Sequence, residues 1–382
     1  QYWYPLNWRL SAKDLVGNHL SFHMFHHAAI FPQKYWPKGI TVFGMGLLEG
    51  QKMSSSKGNV ILLSEAIDKY GADTVRLFLM SSAEPWQDFD WREKEVNGIQ
   101  RRLEAIIEFP QKVESLIGEP LKLAIENNAP IVEKPINKWI ISQINRKIST
   151  ATDALEKFQT RKALQSSLFL FRKDVEYYLN RITIIGEEEK ETLIYLVNTW
   201  IRLLSPFIPY ATEEIWDTYN DDDVFISTLD WPVACEDLID EKIEKSEEIV
   251  QDLAKDIKEI IKITKSNPEV VHLYTAPSWK YEVYNIAQEV GKPNIGEIIH
   301  KAMDANLCDN KKELSKFATK AGKNFNKINY VGVVDEVSVI TDAREYLESE
   351  IGAKIEVYDK PTYDPQNKAQ NASPYKPAIY LE

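Results

Sequence analysis

Eight consecutive residues, Lys52-Met53-Ser54-Ser55-Ser56-Lys57-Gly58-Asn59, gather two ammonium groups, three hydroxyls and a glycine into one polar stretch. Cations and hydroxyl donors at this density, beside a backbone that glycine leaves accessible, suit the oxygens of a polyphosphate. The same composition also describes a solvated Ser/Lys loop. A second group of chemically capable side chains lies upstream, where Asp14, His19, His23, His26 and His27 fall within a helix predicted over residues 14–30. A carboxylate at a helix start can accept from two adjacent hydroxyls, or it can simply cap the helix. His19 and His23 have the i, i+4 spacing of a metal pair, but no Glu, Asp or Cys completes a ligand set nearby. Phe22 and Phe25 suggest packing for that helix, so no metal site is expected.

Two other phosphate-binding arrangements are excluded by spacing. After Gly44-Met45-Gly46 the third glycine is Gly50, one position too late for a dinucleotide fingerprint, and no GxxxxGK[ST] loop occurs.

The elements that position these residues follow from local pattern. Thr41-Val42-Phe43 and Leu47-Leu48 flank Gly44 and Gly46, and Glu49-Gly50 is a turn signal. That predicts a hairpin over residues 41–48 leading into the polar loop. Two short helices are expected at 64–70 and 72–82, joined at Gly71. Asp90-Trp91-Arg92-Glu93 has capping-box spacing, opening a helix with Val96, Ile99, Leu103, Ile106 and Ile107 on one side and Pro110 near its end. Amphipathic helices over 137–158, 160–182 and 187–204, with a shorter one at 209–219, make an antiparallel bundle. Trp139, Trp200 and Trp216 sit at core spacing within it; its basic pairs, such as Arg146-Lys147, Arg161-Lys162 and Arg172-Lys173, are either an RNA-facing groove or ordinary surface. Beyond Trp231-Pro232 a charged helix over 240–264 precedes strand candidates at 270–275, 333–340, 354–358 and 378–381, which predicts a separate α+β domain. Within that domain Lys312, Lys316, Lys320, Lys323 and Lys327 share one helical face, opposite Leu314, Phe317, Ala318 and Ala321. Such a stripe is either a solvated face or a contact for an RNA backbone. Gly322 is expected to fray or kink this helix.

Composition sets the limits. The chain has 382 residues, 44% of them hydrophobic, enough for two to four globular domains. A net charge of −12 excludes a diffuse polyanion-binding surface but not a local basic track. Residues 1–92 carry 9 basic and 8 acidic side chains, so the acid excess lies further on. Cys235 and Cys308 belong to no CxxC pair, which argues against a disulfide framework or cysteine-rich zinc site and suits a reducing cytosol. No apolar run approaches bilayer-spanning length. Gln1-Tyr2-Trp3-Tyr4 reads as the middle of a folded domain, so a fragment is expected.

The octet Lys52–Asn59 resembles the KMSKS signature of class I aminoacyl-tRNA synthetases, with Ser55 where that pattern has its second lysine. Three further segments extend the resemblance. Tyr2-Trp3-Tyr4-Pro5-Leu6-Asn7-Trp8-Arg9 with Ala12-Lys13-Asp14 and His19 is similar to the second nucleotide-binding half of the family, Ala12 standing where glycine is usual. Asp68-Lys69-Tyr70-Gly71-Ala72-Asp73-Thr74-Val75-Arg76 resembles its stem-contact segment, and Leu204-Ser205-Pro206-Phe207-Ile208-Pro209 with Glu213-Glu214-Ile215-Trp216 its anticodon-side bundle. The last 150 or so residues are similar to the leucyl branch of archaeal and eukaryotic type.

The resemblance implies a multidomain α/β plus all-α protein: the second half of a Rossmann-like catalytic domain (residues 1–63), a stem-contact segment (64–89), an antiparallel helical bundle (90–232) and a small α+β C-terminal domain that meets tRNA (233–382). It implies ATP with Mg²⁺ as substrate complex, leucine and tRNA-Leu as partners, and a cytoplasmic protein with no resident metal. Asp14 and His19 would lie at the nucleotide. Lys52, Met53, Ser54, Ser55, Ser56 and Lys57 would form the catalytic loop, with Lys57 a substitute for the lysine missing at Ser55. The lysines from Lys312 to Lys327 would face tRNA. No HIGH-like tetrad precedes the loop, and His26-His27-Ala28-Ala29 does not match one, so the half carrying that tetrad and the editing insertion is expected upstream. Isoleucyl, valyl and methionyl enzymes, a non-catalytic tRNA-binding module and one subunit of a split synthetase stay open as alternatives.

Overall fold

The computed structural model describes residues 2–54, 58–290, 294–325 and 328–382. Ser55, Ser56, Lys57 and Lys327 lie outside the described residues. The chain divides into two compact units: Gln1–Val132 with Gln143–Glu176 and Ile185–Glu236, and Glu133–Ser142 with Tyr177–Ile184 and Asp237–Glu382.

The first unit begins with two parallel strands, β1 (Trp8–Ala12) and β2 (Gly39–Phe43), paired from Trp8↔Gly39 to Ala12↔Phe43. The connection is helical, as parallel pairing requires. Its expected single helix over 14–30 is a 3-10 turn (Lys13–Leu15), a π-turn (Val16–Leu20) and an α-helix (Ser21–Ile30) in succession. That helix buries His27 and leaves Phe22 and Phe25 63% and 72% exposed, contrary to the packing role expected of them.

The predicted 41–48 hairpin does not form. β3 (Gly46–Leu48) belongs to a different sheet, antiparallel to β4 (Gln51–Lys52) and parallel to β5 (Phe89–Trp91). The cause is Gly44. Its N–H donates to Pro85 O at 2.8 Å, and a Cβ there would stand 1.9 Å from Gln87 O. The chain therefore leaves the first sheet beside the 85–88 segment instead of folding back, and the true hairpin turns at Glu49-Gly50.

Helices Leu63–Tyr70 and Ala72–Ser82 meet at Gly71, whose φ of +83° favours glycine. The capping box at Asp90 is also corrected. Asp90 lies in β5 and the helix Glu93–Ile117 has Arg92 at its N-cap, with no side-chain cap bond. That helix runs through Pro110, because Val113 and Ile117 beyond it are buried; their burial offsets the proline cost of about 3 kcal/mol.

The bundle helices appear as expected, with Thr160–Leu164 and Phe171–Arg181 joined by a π-turn at Gln165–Leu170, then Glu187–Leu204 and Pro209–Tyr219. Trp200 anchors the core: its ring meets Phe109 and Phe171, and its indole N–H donates to Ser167 O at 2.9 Å. Asp73 ties the short helices to the bundle by accepting from Ala211 N at 2.6 Å, and Arg76 donates to Phe207 O and Pro206 O. All three basic pairs also have structural uses, since Lys147 pairs with Asp174, Arg172 pairs with Glu176, and Arg161 donates to Ser81 O at 3.3 Å.

The second unit is α+β. β6 (Val270–Tyr274) is central, parallel to β7 (Lys354–Tyr358) and antiparallel to β8 (Ala378–Leu381). One sheet face, with Val271, Leu273 and Ile355, packs on the helix Glu241–Thr264, whose start is capped by Asp240. The strand expected over 333–340 is a helix, Glu336–Asp342. Asp335 initiates it by accepting from Ser338 N, and Glu336 turns inward to accept from Tyr281 Oη, Ala276 N and Tyr375 N. A second core gathers helices Ser278–Val290, Ile295–Asp304 and Lys311–Asn324. Gly322 neither frays nor kinks the last of these. A Cβ there would meet Ile295 Cγ1 at 3.0 Å, so the glycine admits close helix packing.

Candidate nucleotide-binding site

The site is built at the carboxyl ends of β1 and β2, where ligands bind in open α/β sheets. Asp14 follows β1 within the 3-10 turn. It is exposed, and it does not cap the turn, whose N-cap is Ala12. Its carboxylate makes no hydrogen bond or ion pair among the described residues and is open to a ligand. His19 is exposed in the π-turn, its Nε2 2.9 Å from Arg9 Nη2. A π-turn inside a helical segment frequently marks a functional position.

The remaining histidines serve the fold. His27 Nδ1 lies 2.8 Å from His23 O and its Nε2 2.9 Å from Tyr4 Oη. Burial, then the neighbouring His27 and Arg9, hold His23 below the ordinary imidazole value. Among the described residues no group of three His, Cys, Asp or Glu side chains converges as a metal site would require.

Lys52 ends β4 and is exposed; Met53 and Ser54 are half-buried. Asn59, the last residue of the octet and given no role by its sequence pattern, closes the base of the loop. Its side chain donates to Lys52 O and accepts from Ser54 N, both at 3.0 Å, and Ser54 bridges Asn59. The only signal for it was an amide residue directly after Gly58, whose φ is +69°.

Three more residues position the loop in roles that the sequence pattern did not assign them. Asp88 accepts from Met45 N at 2.7 Å and pairs with Lys13 at 2.5 Å, so it joins the turn carrying Asp14 to the chain entering the hairpin. Asp90 accepts from Gly50 N at 2.9 Å and pairs with Arg92 at 2.7 Å, which pins the hairpin turn. Glu49 accepts from Glu93 N, and Glu93 in turn accepts from Lys69 and Tyr70 Oη. Lys13 and Met45 N hold Asp88 below the usual carboxylate range; Gly50 N and Arg92 do the same for Asp90. The signal was the alternation Asp88-Phe89-Asp90-Trp91, a strand period that sends both carboxylates to one side.

In the second unit Lys312, Lys316, Lys320 and Lys323 are exposed on the helix Lys311–Asn324, while Leu314, Phe317, Ala318 and Ala321 are buried. None of the four pairs with a carboxylate among the described residues. They share a face, as the spacing predicts.

Residues 137–273 match the anticodon-binding domain of tRNA ligase, and residues 1–104 match the class I (M) tRNA synthetases. Along 100% of its length the chain is 52% identical to a leucine–tRNA ligase of Methanothermobacter thermautotrophicus, covering 41% of that protein. It is 40% identical to the leucine–tRNA ligase of Pyrococcus furiosus, again over 100% of its own length and 38% of the relative's. The chain thus spans about two fifths of the curated relatives it matches. The crystal structure of an Agrobacterium radiobacter K84 LeuRS, in a ternary complex with tRNA and LeuAMS, superposes with a TM-score of 0.52 at 19% identity, covering 62% of this chain and 29% of that one. That likeness shows the fold, a class I α/β and helical architecture. Both of these relatives, matched along this chain's whole length, are leucine enzymes, so the isoleucyl, valyl and methionyl alternatives are not favoured. On these grounds the chain belongs to the leucine–tRNA ligase family of class I tRNA synthetases.

Proposed function

We propose that the chain supplies the ATP-gripping loop and the tRNA-binding modules of a cytoplasmic leucine–tRNA ligase, and that it does not activate leucine by itself. The observation that carries this is the arrangement around the loop: an open carboxylate at Asp14, Lys52 at the neck of a polar loop, and Asp88 and Asp90 fixing both to one frame.

The reaction proposed for the whole enzyme is attack by the leucine carboxylate on the α-phosphorus of ATP. A new P–O bond forms, the bond to the β-phosphate oxygen breaks, and pyrophosphate leaves. Leucyl-adenylate then passes its acyl group to the 3′-terminal adenosine of tRNA-Leu. No protein nucleophile is needed; positioning and charge neutralisation carry the rate. Asp14 accepts from the ribose hydroxyls, with His19 beside the nucleotide. Lys52, with Lys57 in place of the lysine absent at Ser55, holds the departing phosphates, and Mg²⁺ arrives with ATP and shares their charge. Met53, Ser54, Ser55 and Ser56 shape the same loop, whose closure gates the step. The four-module division at residues 63, 89 and 232 is part of this reading, as is tRNA contact through Lys312, Lys316, Lys320, Lys323 and Lys327.

Two observations support dependence on a further segment. A parallel β-pair is ordinarily covered on both faces, yet Trp8 and Leu10 are each 48% exposed, and Phe22 and Phe25 of the connecting helix are open as well. No HIGH-like tetrad occurs in the sequence. The test is leucine-dependent pyrophosphate exchange, measured on the chain alone and with a polypeptide carrying a HIGH-like tetrad from a relative. Exchange only in the mixture, lost with Lys52→Ala, is the expected result. Exchange by the chain alone would overturn the reading.

A further inference from the structure

A cavity of about 1080 Å³ in the first unit lies away from the residues proposed to bind the nucleotide and is not used by the chemistry above. It is a groove between the short helices Leu63–Tyr70 and Ala72–Ser82 on one side and the helix Pro209–Tyr219 with the following 222–227 segment on the other. Its apolar lining is open to solvent: Leu63, Tyr210 and Phe225 are 64%, 71% and 67% exposed. Single exposed apolar residues need no explanation, whereas several lining one concave surface mark an interaction site.

The rim is acidic. Tyr210, Glu213, Glu214 and Asp217 recur at i, i+3, i+4 and i+7 and form one stripe of their helix, opposite the buried Ala211, Ile215 and Trp216. Asp222 and Asp223 face them from the next segment of the lining. None of these five carboxylates forms an ion pair among the described residues, and Glu213 Oε1 is buried without a hydrogen-bond partner. The one basic lining residue, Arg76, is committed elsewhere: it donates to Phe207 O at 3.1 Å and to Pro206 O at 2.8 Å. An RNA phosphate backbone would meet uncompensated negative charge here, so this groove repels the ligand that the rest of the protein is proposed to bind.

We infer that this groove docks a cationic amphipathic helix of a partner protein. Charge complementarity selects lysine or arginine at the flanks of the occupant. The walls select its conformation. They are helices and the irregular 222–227 segment, with no strand among them, so an extended peptide has no strand edge to pair with, whereas a helix satisfies its own backbone. Leucine-type residues at i, i+3, i+4 and i+7 enter between Leu63, Tyr210 and Phe225, and cations on either side reach Glu214 and Asp217 across from Asp222 and Asp223.

The test uses the whole chain and a fluorescein-labelled peptide of about 18 residues with leucine at the i, i+3, i+4, i+7 positions and lysine elsewhere. Binding is read by anisotropy at fixed ionic strength. Saturable binding is expected, with no binding by a scrambled peptide of equal composition or by the same peptide carrying glutamate for lysine. Glu214→Lys with Asp217→Lys should weaken binding at least about tenfold, or ~1.4 kcal/mol. Leu63→Ser with Phe225→Ser should do the same without changing net charge. Both pairs are on exposed positions, and circular dichroism checks that they fold. Glu104→Lys with Glu108→Lys, an equal charge change on exposed positions of the helix Glu93–Ile117, should leave affinity within about twofold. Equal loss in this control would show general charge attraction and overturn the proposal. So would binding indifferent to the groove substitutions, or competition by an RNA stem that those substitutions abolish.

Discussion

Replacing Gly44 by alanine should uncouple the polar loop from its frame, because the 85–88 backbone crosses directly against this glycine. An added Cβ would lie 1.9 Å from Gln87 O, 2.2 Å from Gln87 C and 2.7 Å from Asp88 N. All three are backbone atoms, so no side chain can swing aside, and roughly 1 Å of backbone retreat is required. That retreat strains three hydrogen bonds at once: Gly44 N to Pro85 O at 2.8 Å, Met45 N to Asp88 Oδ1 at 2.7 Å and Phe89 N to Met45 O at 3.1 Å. Overpacking of this kind costs about 1–3 kcal/mol, and a lost hydrogen bond adds about 1 kcal/mol. A total of roughly 2–4 kcal/mol would lower Tm by about 5–15 °C in a unit of this size. Calorimetry gives the Tm, and amide hydrogen exchange on the peptide spanning residues 39–54 locates the change. Exchange should accelerate at Met45 and at Gly50, whose N–H Asp90 accepts. An unchanged Tm together with unchanged exchange across that peptide would refute the claim that this crossing holds the loop.

Asp73→Ala removes the acceptor of Ala211 N and should cost about 1–3 kcal/mol, read as a fall in denaturant midpoint. Arg181 and Glu247, paired at 2.6 Å and each 5% exposed at the side chain, should tolerate joint replacement by Met and Leu far better than Arg181→Met alone. The single change strands a buried carboxylate at about 3–5 kcal/mol, and the comparison needs only chemical denaturation of the two variants. Burial raises the Glu336 carboxyl above its ordinary value. The folded state therefore binds that proton more readily than the unfolded chain, and this contribution, full below the unfolded value, is lost as pH rises through the folded one. Tm measured against pH should show that fall in the parent chain and lose it in Glu336→Gln; identical slopes would contradict the assignment.

Much of this arrangement is legible in the residues, and the failures have physical causes. Helix periodicity places the bundle because its apolar stripes are long and regular, as Ile140, Ile144 and Ile148 show. Strand partners are different. Thr41–Phe43 and Leu47–Leu48 look like two arms of one hairpin, yet they join separate sheets, because pairing is decided by a segment some forty residues away, at Pro85–Gln87. Val333 to Ile340 has β-branched residues enough for a strand, but Asp335 and the inward Glu336 make a capped helix start more favourable. The residues proposed to face the nucleotide were chosen by type, since a carboxylate at Asp14 and an ammonium at Lys52 suit ribose hydroxyls and phosphate oxygens. The bracing roles of Asp88, Asp90 and Asn59 were not legible because they act on backbone N–H and C=O groups, which a sequence does not display.

The most direct test of the account is a binding titration at controlled salt against three RNAs: tRNA-Leu, tRNA-Leu without its long variable arm, and tRNA-Ile. The account predicts preference for intact tRNA-Leu, weakened when Lys316→Glu and Lys320→Glu reverse the exposed stripe, with a shallower salt dependence in that variant. Equal weak binding to all three RNAs, indifferent to those lysines, would contradict it.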